Sequence, residues 1–450
     1  MAISIAISPA SGNTSSPICA EDPLGLLSDL TDVPSAPATR AAGRRSAAAV
    51  RGWLLLALTL GLAASISLSE LTLVVLAAWL AFGPREAGAR RAGWPIAGPL
   101  AVFAAWTLVT ALASPRPVES LAAAKGLLTL AAFYVMRHAL PDRPAARRFL
   151  TGLFVAVSGV ALLSVLQVGL CPPSGSVESG PVGLLFRKCA RARGFFSIYM
   201  TLAGVLALVL VATLPRLARA GRERAWMTPL WVLGVVALGL TYVRGAWLGF
   251  AVGAVGCALV LRRRGLVLGT LAVVVAAALV AEPGVLARIR TIGDLQDDTA
   301  RDRLAMLDTG LRLVRAHPIT GVGPGQVKRL YPQWASPEAL RRSTSHLHDT
   351  PLQIAVERGV PGLAAWIAIW VAFFGASVRT LARVPKGDED ARALVLGPMA
   401  AIAAFLVAGL FEYNFGDTEV LLVAVALMAL PFTVASDLPE AARNRGAGET

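Results

Sequence analysis

The chain has 450 residues, 56% of them hydrophobic and only 16% charged. A soluble domain averages about 45–50% apolar and about 25% charged residues, so the composition excludes an ordinary soluble enzyme and points to a membrane protein. The net charge of +14 would suit a nucleic-acid binder. The basic residues, however, sit between apolar runs and form no stripe with interleaved aromatics, so no nucleic-acid partner is expected and membrane lipids and topology account for the charge.

In chain order, residues 1–48 are rich in Ser, Pro, Ala and Thr without periodicity, and are expected to be a disordered cytoplasmic tail. A signal peptide is rejected there, because Met1–Ser8 is weakly apolar and Asp22, Asp29 and Asp32 follow. Apolar runs then succeed one another at 50–66, 71–84, 94–113, 119–137, 149–170, 194–214, 227–243, 246–261, 266–283, 359–378, 393–411 and 418–436. A helix needs about 20 apolar residues to cross the bilayer core. The expected fold is therefore all-α, a polytopic transmembrane helical bundle of about twelve helices, the first nine within 49–283 and the last three within 359–436. A large periplasmic loop, 284–358, separates the ninth from the tenth, and 437–450 is a short cytoplasmic tail.

Lys and Arg set the orientation. Alternate loops carry Arg40, Arg44 and Arg45, then Arg85, Arg90 and Arg91, then Arg143, Arg147 and Arg148, then Arg216, Arg219, Arg222 and Arg224, then Arg379, Arg383 and Lys386. Both termini are therefore expected on the cytoplasmic side of a bacterial inner membrane. Two loops on the opposite side break the pattern. Residues 171–193 hold Arg187, Lys188, Arg191 and Arg193, and the long loop 284–358 holds many more, Arg303 among them. Arg244 stands between two apolar spans at the outer boundary, a costly position that marks a functional group by default. Arginine presents a planar fork of donors matched to phosphate oxygens, so Arg191, Arg244 and the loop arginines suit a lipid-linked diphosphate. Any single loop arginine also reads as a partner for lipid headgroups or for Asp294, Asp297 and Asp298.

Of four histidines, His317, His346 and His348 fall in the large loop. His348 stands just before the apolar stretch Pro351–Ala355, and a histidine there can take a proton from a sugar hydroxyl near neutral pH. His346-x-His348 lacks a third ligand, so no metal site is expected, and no CxxC or Cys/His cluster is present. Cys171 and Cys189 share one outer loop, either as a disulfide or as two free thiols. Gly321-x-Gly323-x-Gly325 follows a helix rather than a strand, and is read as a turn that redirects the loop and not as a nucleotide cradle.

Five segments together resemble the O-antigen ligase and polymerase superfamily of membrane glycosyltransferases. They are Arg191-Ala-Arg-Gly-Phe-Phe196, Leu240-Thr-Tyr-Val-Arg-Gly-Ala-Trp247, Arg303-Leu-Ala-Met-Leu-Asp308, Ala316-His-Pro-Ile-Thr-Gly-Val-Gly-Pro-Gly325, and His348-Asp349 with Gly359-Val-Pro-Gly362 downstream. Asp349 stands where the family carries an amide or hydroxyl, and Val243 where it carries Ser. The resemblance implies glycosyl transfer outside the inner membrane, without metal or other cofactor. The donor would be a glycan on undecaprenyl diphosphate and the acceptor lipid A–core in ligases or another lipid-linked glycan in polymerases. It implies His348 as the base, Arg191 and Arg244 as diphosphate ligands, and Arg303, His317 and His346 as further substrate contacts; Glu357 is read as structural, paired with Arg358 or with another neighbour. A lipid-linked oligosaccharide transporter is the competing class; it should show ionisable groups at mid-bilayer and repeated halves, and only Lys125 and a few prolines approach that.

Overall fold

A computed structural model describes residues 36–83, 93–172, 186, 188–219, 221–261, 265, 269 and 298–438. The expected ninth span 266–283, the start of the large loop to 297, and most of both expected tails lie outside the described residues. Two compact units divide the chain, 1–48 and 49–450, and the cavities and side-chain contacts described below lie in the second.

All regular structure among the described residues is helical. The helices are α1 Ala36–Ala64, α2 Ile66–Phe82, α3 Ala97–Leu112, α4 Pro117–Ala123, α5 Gly126–Ala139 and α6 Arg143–Gly169. They continue with α7 Tyr199–Leu217, α8 Arg222–Gly239, α9 Arg244–Val260, α10 Asp298–Ala316, α11 Val327–Trp334, α12 Thr350–Arg383, α13 Glu389–Ala408 and α14 Thr418–Asp437. Among the described residues seven stretches are long and apolar enough to cross a membrane, and α2, α3 and α9 are shorter apolar helices. Eleven of the twelve apolar runs fall on these helices; the run 119–137 is divided between α4 and α5, which meet at Lys125. The helix expected from residue 359 begins earlier, at Thr350, and segment 36–48, expected to be disordered, is helical from Ala36.

Start signals follow the sequence. Asp142 Oδ1 accepts from the Ala145 amide at 2.8 Å, Asp349 Oδ1 from Leu352 at 2.7 Å, Asp388 Oδ1 from Ala391 at 3.1 Å and Asp417 Oδ1 from Val420 at 3.3 Å. Each satisfies one of the orphan amides of a first turn. The centre of the bundle is α7, α13 and α14, whose apolar windows are 89%, 72% and 83% buried, against 33% for the window in α1. Side chains of the peripheral helices are left for lipid tails.

One packing seam positions the functional end. Gly245, Gly249 and Gly253 lie along one face of α9, each where a Cβ would collide with α13 or the residues just after it; at Gly249 it would lie 2.4 Å from the Ala404 carbonyl oxygen. Small residues four apart let two helix backbones approach closely. The seam therefore sets the N-terminus of α9, with Arg244, against the 409–417 segment that follows α13.

Candidate functional site

A cavity of about 400 Å³ opens at this end, among the start of α7, the turn before α9, the first turns of α10, and the segments before α12 and after α13. Arg191, Arg244, Arg303 and Arg341 line it, with His348, Glu412, Asp298 and Asp302. Four of the six sequence-predicted site residues thus meet in one space. His346 lines a neighbouring cavity that shares Glu412, Met200 and Val243 with the first. Its ring centroid lies 4.3 Å from that of His348. His317 lines neither; it is exposed at the far end of α10, where its ring faces Trp334 at 6.4 Å.

Arg191 is carried by a loop that other residues hold from behind. Cys171 and Cys189 form a disulfide. Gln167 at the end of α6 donates to the Gly194 carbonyl and accepts from the Gly194 amide, both at 3.0 Å. The Ala192 amide donates to the Leu240 carbonyl at 2.9 Å, which ties this loop to the turn bearing Arg244. The Arg191 guanidinium lies 4.5 Å above the Tyr199 ring, a contact that orients it without neutralising its charge. Arg244 is the first residue of α9. Val243 precedes it and, lacking a hydroxyl, gives no side-chain cap. Helix N-termini carry partial positive charge, so the start of α9 and the Arg244 guanidinium act on an anion in the same sense.

His348 is held in a left-handed conformation at φ 52°. That region is uncommon for a residue with a Cβ, and persists where the surroundings over-determine it. Here the Leu347 amide donates to Gln353 Oε1 at 2.9 Å, the Thr350 amide to the Gly409 carbonyl at 2.7 Å, and Asp349 caps α12. Burial raises the Asp349 carboxyl above its usual range, with the Leu352 amide opposing. The residue that departs from the family pattern therefore still does the work of an N-cap, which Asn or Ser would do as well.

Glu412 went unread in the sequence. Its Oε2 accepts from His348 Nδ1 at 2.8 Å, and its Oε1 from Arg303 Nη2 at 2.6 Å. This fixes the imidazole so that Nε2, the other ring nitrogen, is the one left to accept a proton. The segment carrying Glu412 is pinned by Phe415, whose ring sits 5.9–6.4 Å from those of Phe103, Trp366 and Trp370. It is also held by Thr350 Oγ1, which donates to the Glu412 carbonyl at 2.9 Å. The available signal was a lone carboxylate in Phe411-Glu-Tyr-Asn-Phe415, at the end of an apolar run.

The glycine segment and the Gly359-Val-Pro361 interruption explain each other. Gly359 has φ 68°, and the Val360 amide donates to Pro318 rather than back into α12. Pro361 has no amide to give. The carbonyls of Val356 and Glu357 are thus released, and they accept from the Val322 and Gly323 amides at 2.9 and 3.0 Å. Glu357 adds a bond from the Gly325 amide at 2.9 Å and pairs with Arg358 Nη1 at 2.8 Å. The expected redirecting turn is present, and of the partners open to Glu357 the structure shows both Arg358 and a neighbour, Gln353; these contacts brace the loop rather than line the cavity.

Among the described residues no group of three or more His, Cys, Asp or Glu is arranged to hold a metal ion. A search among curated proteins gave no match. The family model described as O-Antigen ligase matches residues 229–367, from α8 through Arg244 and His348 into α12, and this match supports membership of the O-antigen ligase and polymerase superfamily.

Proposed function

We propose that the protein transfers a glycan from an undecaprenyl-diphosphate carrier to an acceptor hydroxyl on the periplasmic side of the bacterial inner membrane, as an O-antigen ligase does. The observation that carries this reading is one cavity holding an oriented histidine and several arginines. Nε2 of His348 takes the proton of the acceptor hydroxyl as its oxygen bonds to the anomeric carbon. The bond from that carbon to the diphosphate oxygen breaks, and its electron pair leaves with the lipid diphosphate. Attack opposite the leaving group inverts the anomeric centre. Arg191, Arg244 and the N-terminus of α9 meet the charge that grows on the diphosphate, a task other transferases give to a divalent cation. Arg303, held by Glu412, completes the wall. The Cys171–Cys189 disulfide supports an extracytoplasmic setting for this face, since disulfides persist in oxidising compartments.

The test is transfer from purified lipid-diphosphate donor to acceptor, with chelator present. His348→Asn should cost about 10²- to 10⁴-fold in rate, and His346→Ala much less. A near-native rate for His348→Asn, or a dead His346→Ala, would overturn the catalytic assignment; loss of transfer on adding chelator alone would overturn the metal-independent step. Offering lipid A–core and a second lipid-linked glycan side by side separates ligase from polymerase. A reporter fused at Pro332 should behave as periplasmic and one after Thr450 as cytoplasmic; the reverse pattern would sink the topology.

A further inference from the structure

The end of the bundle opposite the His348 cavity holds a second site that glycan transfer does not use. The helices α6 to α9 alternate in direction, so the end of α7, the start of α6 and the start of α8 share this face. A groove of about 670 Å³ runs there between α1, α6 and α8. Its polar end is formed by Arg147, Arg148, Arg216 and Arg222, with Glu223 as the acidic residue among the described lining residues and Asp390 3.5 Å from Arg147 beside it. Its other walls include Leu56, Leu60, Val155 and Trp226, which are 45%, 50%, 47% and 38% exposed.

Arg216 is the residue that needs explaining. It is 3% exposed, and while Nη2 donates to Glu223, its buried Nη1 has no hydrogen-bond partner. Glu223 already serves Arg147 as well, at 3.0 Å. A buried guanidinium donor without an acceptor is costly. Phosphate oxygens are the acceptors that fit a guanidinium fork and the surplus of positive charge around it. A soluble phosphate would leave the leucine, valine and tryptophan wall unused; a phospholipid would not. Basic pockets between helices, with apolar walls running into the bilayer, are built for anionic headgroups.

We infer that this groove binds an anionic phospholipid, its phosphate accepting from Arg216 Nη1 within the Arg147, Arg148 and Arg222 cluster and an acyl chain lying along Leu56, Leu60, Val155 and Trp226. The site is independent of the transfer reaction. The test uses the full chain in a mild non-ionic detergent, with bound lipid counted by native mass spectrometry during titration with phosphatidylglycerol, phosphatidylcholine or inorganic phosphate. Phosphatidylglycerol should be retained in preference to phosphatidylcholine, and millimolar phosphate should not displace it. Arg216→Gln should abolish that preference, but Arg216 is buried and its loss endangers folding. The double variant Arg148→Ala/Arg222→Ala changes two exposed rim residues, and should weaken phosphatidylglycerol about tenfold or more without changing phosphatidylcholine. Equal retention of both lipids, or a double variant that binds phosphatidylglycerol as the wild type does, overturns the site. Displacement of the lipid by phosphate alone overturns the lipid as its occupant.

Discussion

The two ends of the bundle surround their arginines differently. At the end where α6, α8 and α13 begin, arginines are held by acids. Arg143 bridges Asp388 and Asp437, Arg147 bridges Glu223 and Asp390, and Arg219 bridges Glu389 and Asp390. At the other end Arg191 rests on an aromatic ring, and Arg303 is tied to a carboxylate that also holds His348. Acid-paired arginines fasten helix ends to one another, with the Arg216 groove as the exception. Arg303 and Arg341 are acid-paired too, but their acids, Glu412 and Asp302, line the same cavity, so these guanidiniums stand beside open space rather than between helix ends. A guanidinium in a sequence is thus ambiguous until its partner is known, and the partner distinguishes a clamp from a ligand site.

The comparison breaks most visibly under substitution. Arg191→Ala and Arg244→Ala should each lower transfer by roughly 10- to 150-fold or more, since a charge-assisted contact to phosphate is worth about 1.5–3 kcal/mol, while the protein still accumulates in the membrane. Arg244→Lys should rescue poorly, because an ammonium lacks the planar fork. Arg143→Ala should do the reverse, with transfer near native and thermal stability down by about 0.2–1 kcal/mol. Initial rates and melting curves on the same preparations read both. Equal effects of Arg143→Ala and Arg244→Ala on rate would erase the distinction between the two ends.

Glu412→Gln sharpens it. The amide keeps the shape but withdraws the charge from both Arg303 and His348. The expected loss is on the order of 10- to 100-fold in kcat with KM little changed, because the group positions the base rather than binding substrate. A change confined to KM would make Glu412 a substrate contact instead. Gly359→Ala separates scaffold from chemistry. The new Cβ would lie 1.9 Å from the Ile319 carbonyl oxygen at a residue with φ 68°. Activity should fall in proportion to folded protein, with unchanged specific activity in whatever survives; a well-folded, inactive variant would show that the glycine serves the chemistry directly.

Much of this was legible in the sequence because the bilayer enforces simple rules. Apolar length and basic alternation mark helices wherever lipid is the solvent, and eleven apolar runs coincide with helices. The cavity was half legible. Arg191 and Arg244 stand out as charges beside apolar runs, His348 as a histidine just before an apolar stretch and Arg303 only through the family resemblance, and the structure brings the four together. His317 stands out equally and points elsewhere, since position in a loop says nothing of which end of α10 it faces. Glu412 escaped because its partner lies 64 residues upstream, and no local pattern announces such a pairing. The kink at Gly359 was visible as Gly-Val-Pro, but the amides that claim the released carbonyls come from another loop.

The smallest effect concerns His346. Burial pushes its imidazole down to about 4, with the neighbouring His348 adding to the shift and Glu412 opposing it. Its Nδ1 is buried without a hydrogen-bond partner, and the Tyr413 ring covers it at 5.7 Å. His346 is therefore neutral in the folded protein near neutral pH, which argues against it as the proton carrier of the proposed reaction. The linkage has a definite sign. The unfolded chain takes up a proton on this residue near its ordinary value of 6.5, while the folded chain does so only near 4. Between those values the unfolded state binds more protons, so stability falls as pH drops through the window and is flat above it. His346→Asn removes the titrating group, so melting temperature should vary less between pH 7 and pH 4 than in the wild type. The wild type's extra loss across that window is at most about 1.4 kcal/mol for each pH unit crossed. Identical pH dependence in the two proteins would mean that His346 titrates alike folded and unfolded, and that its buried position does not set its charge.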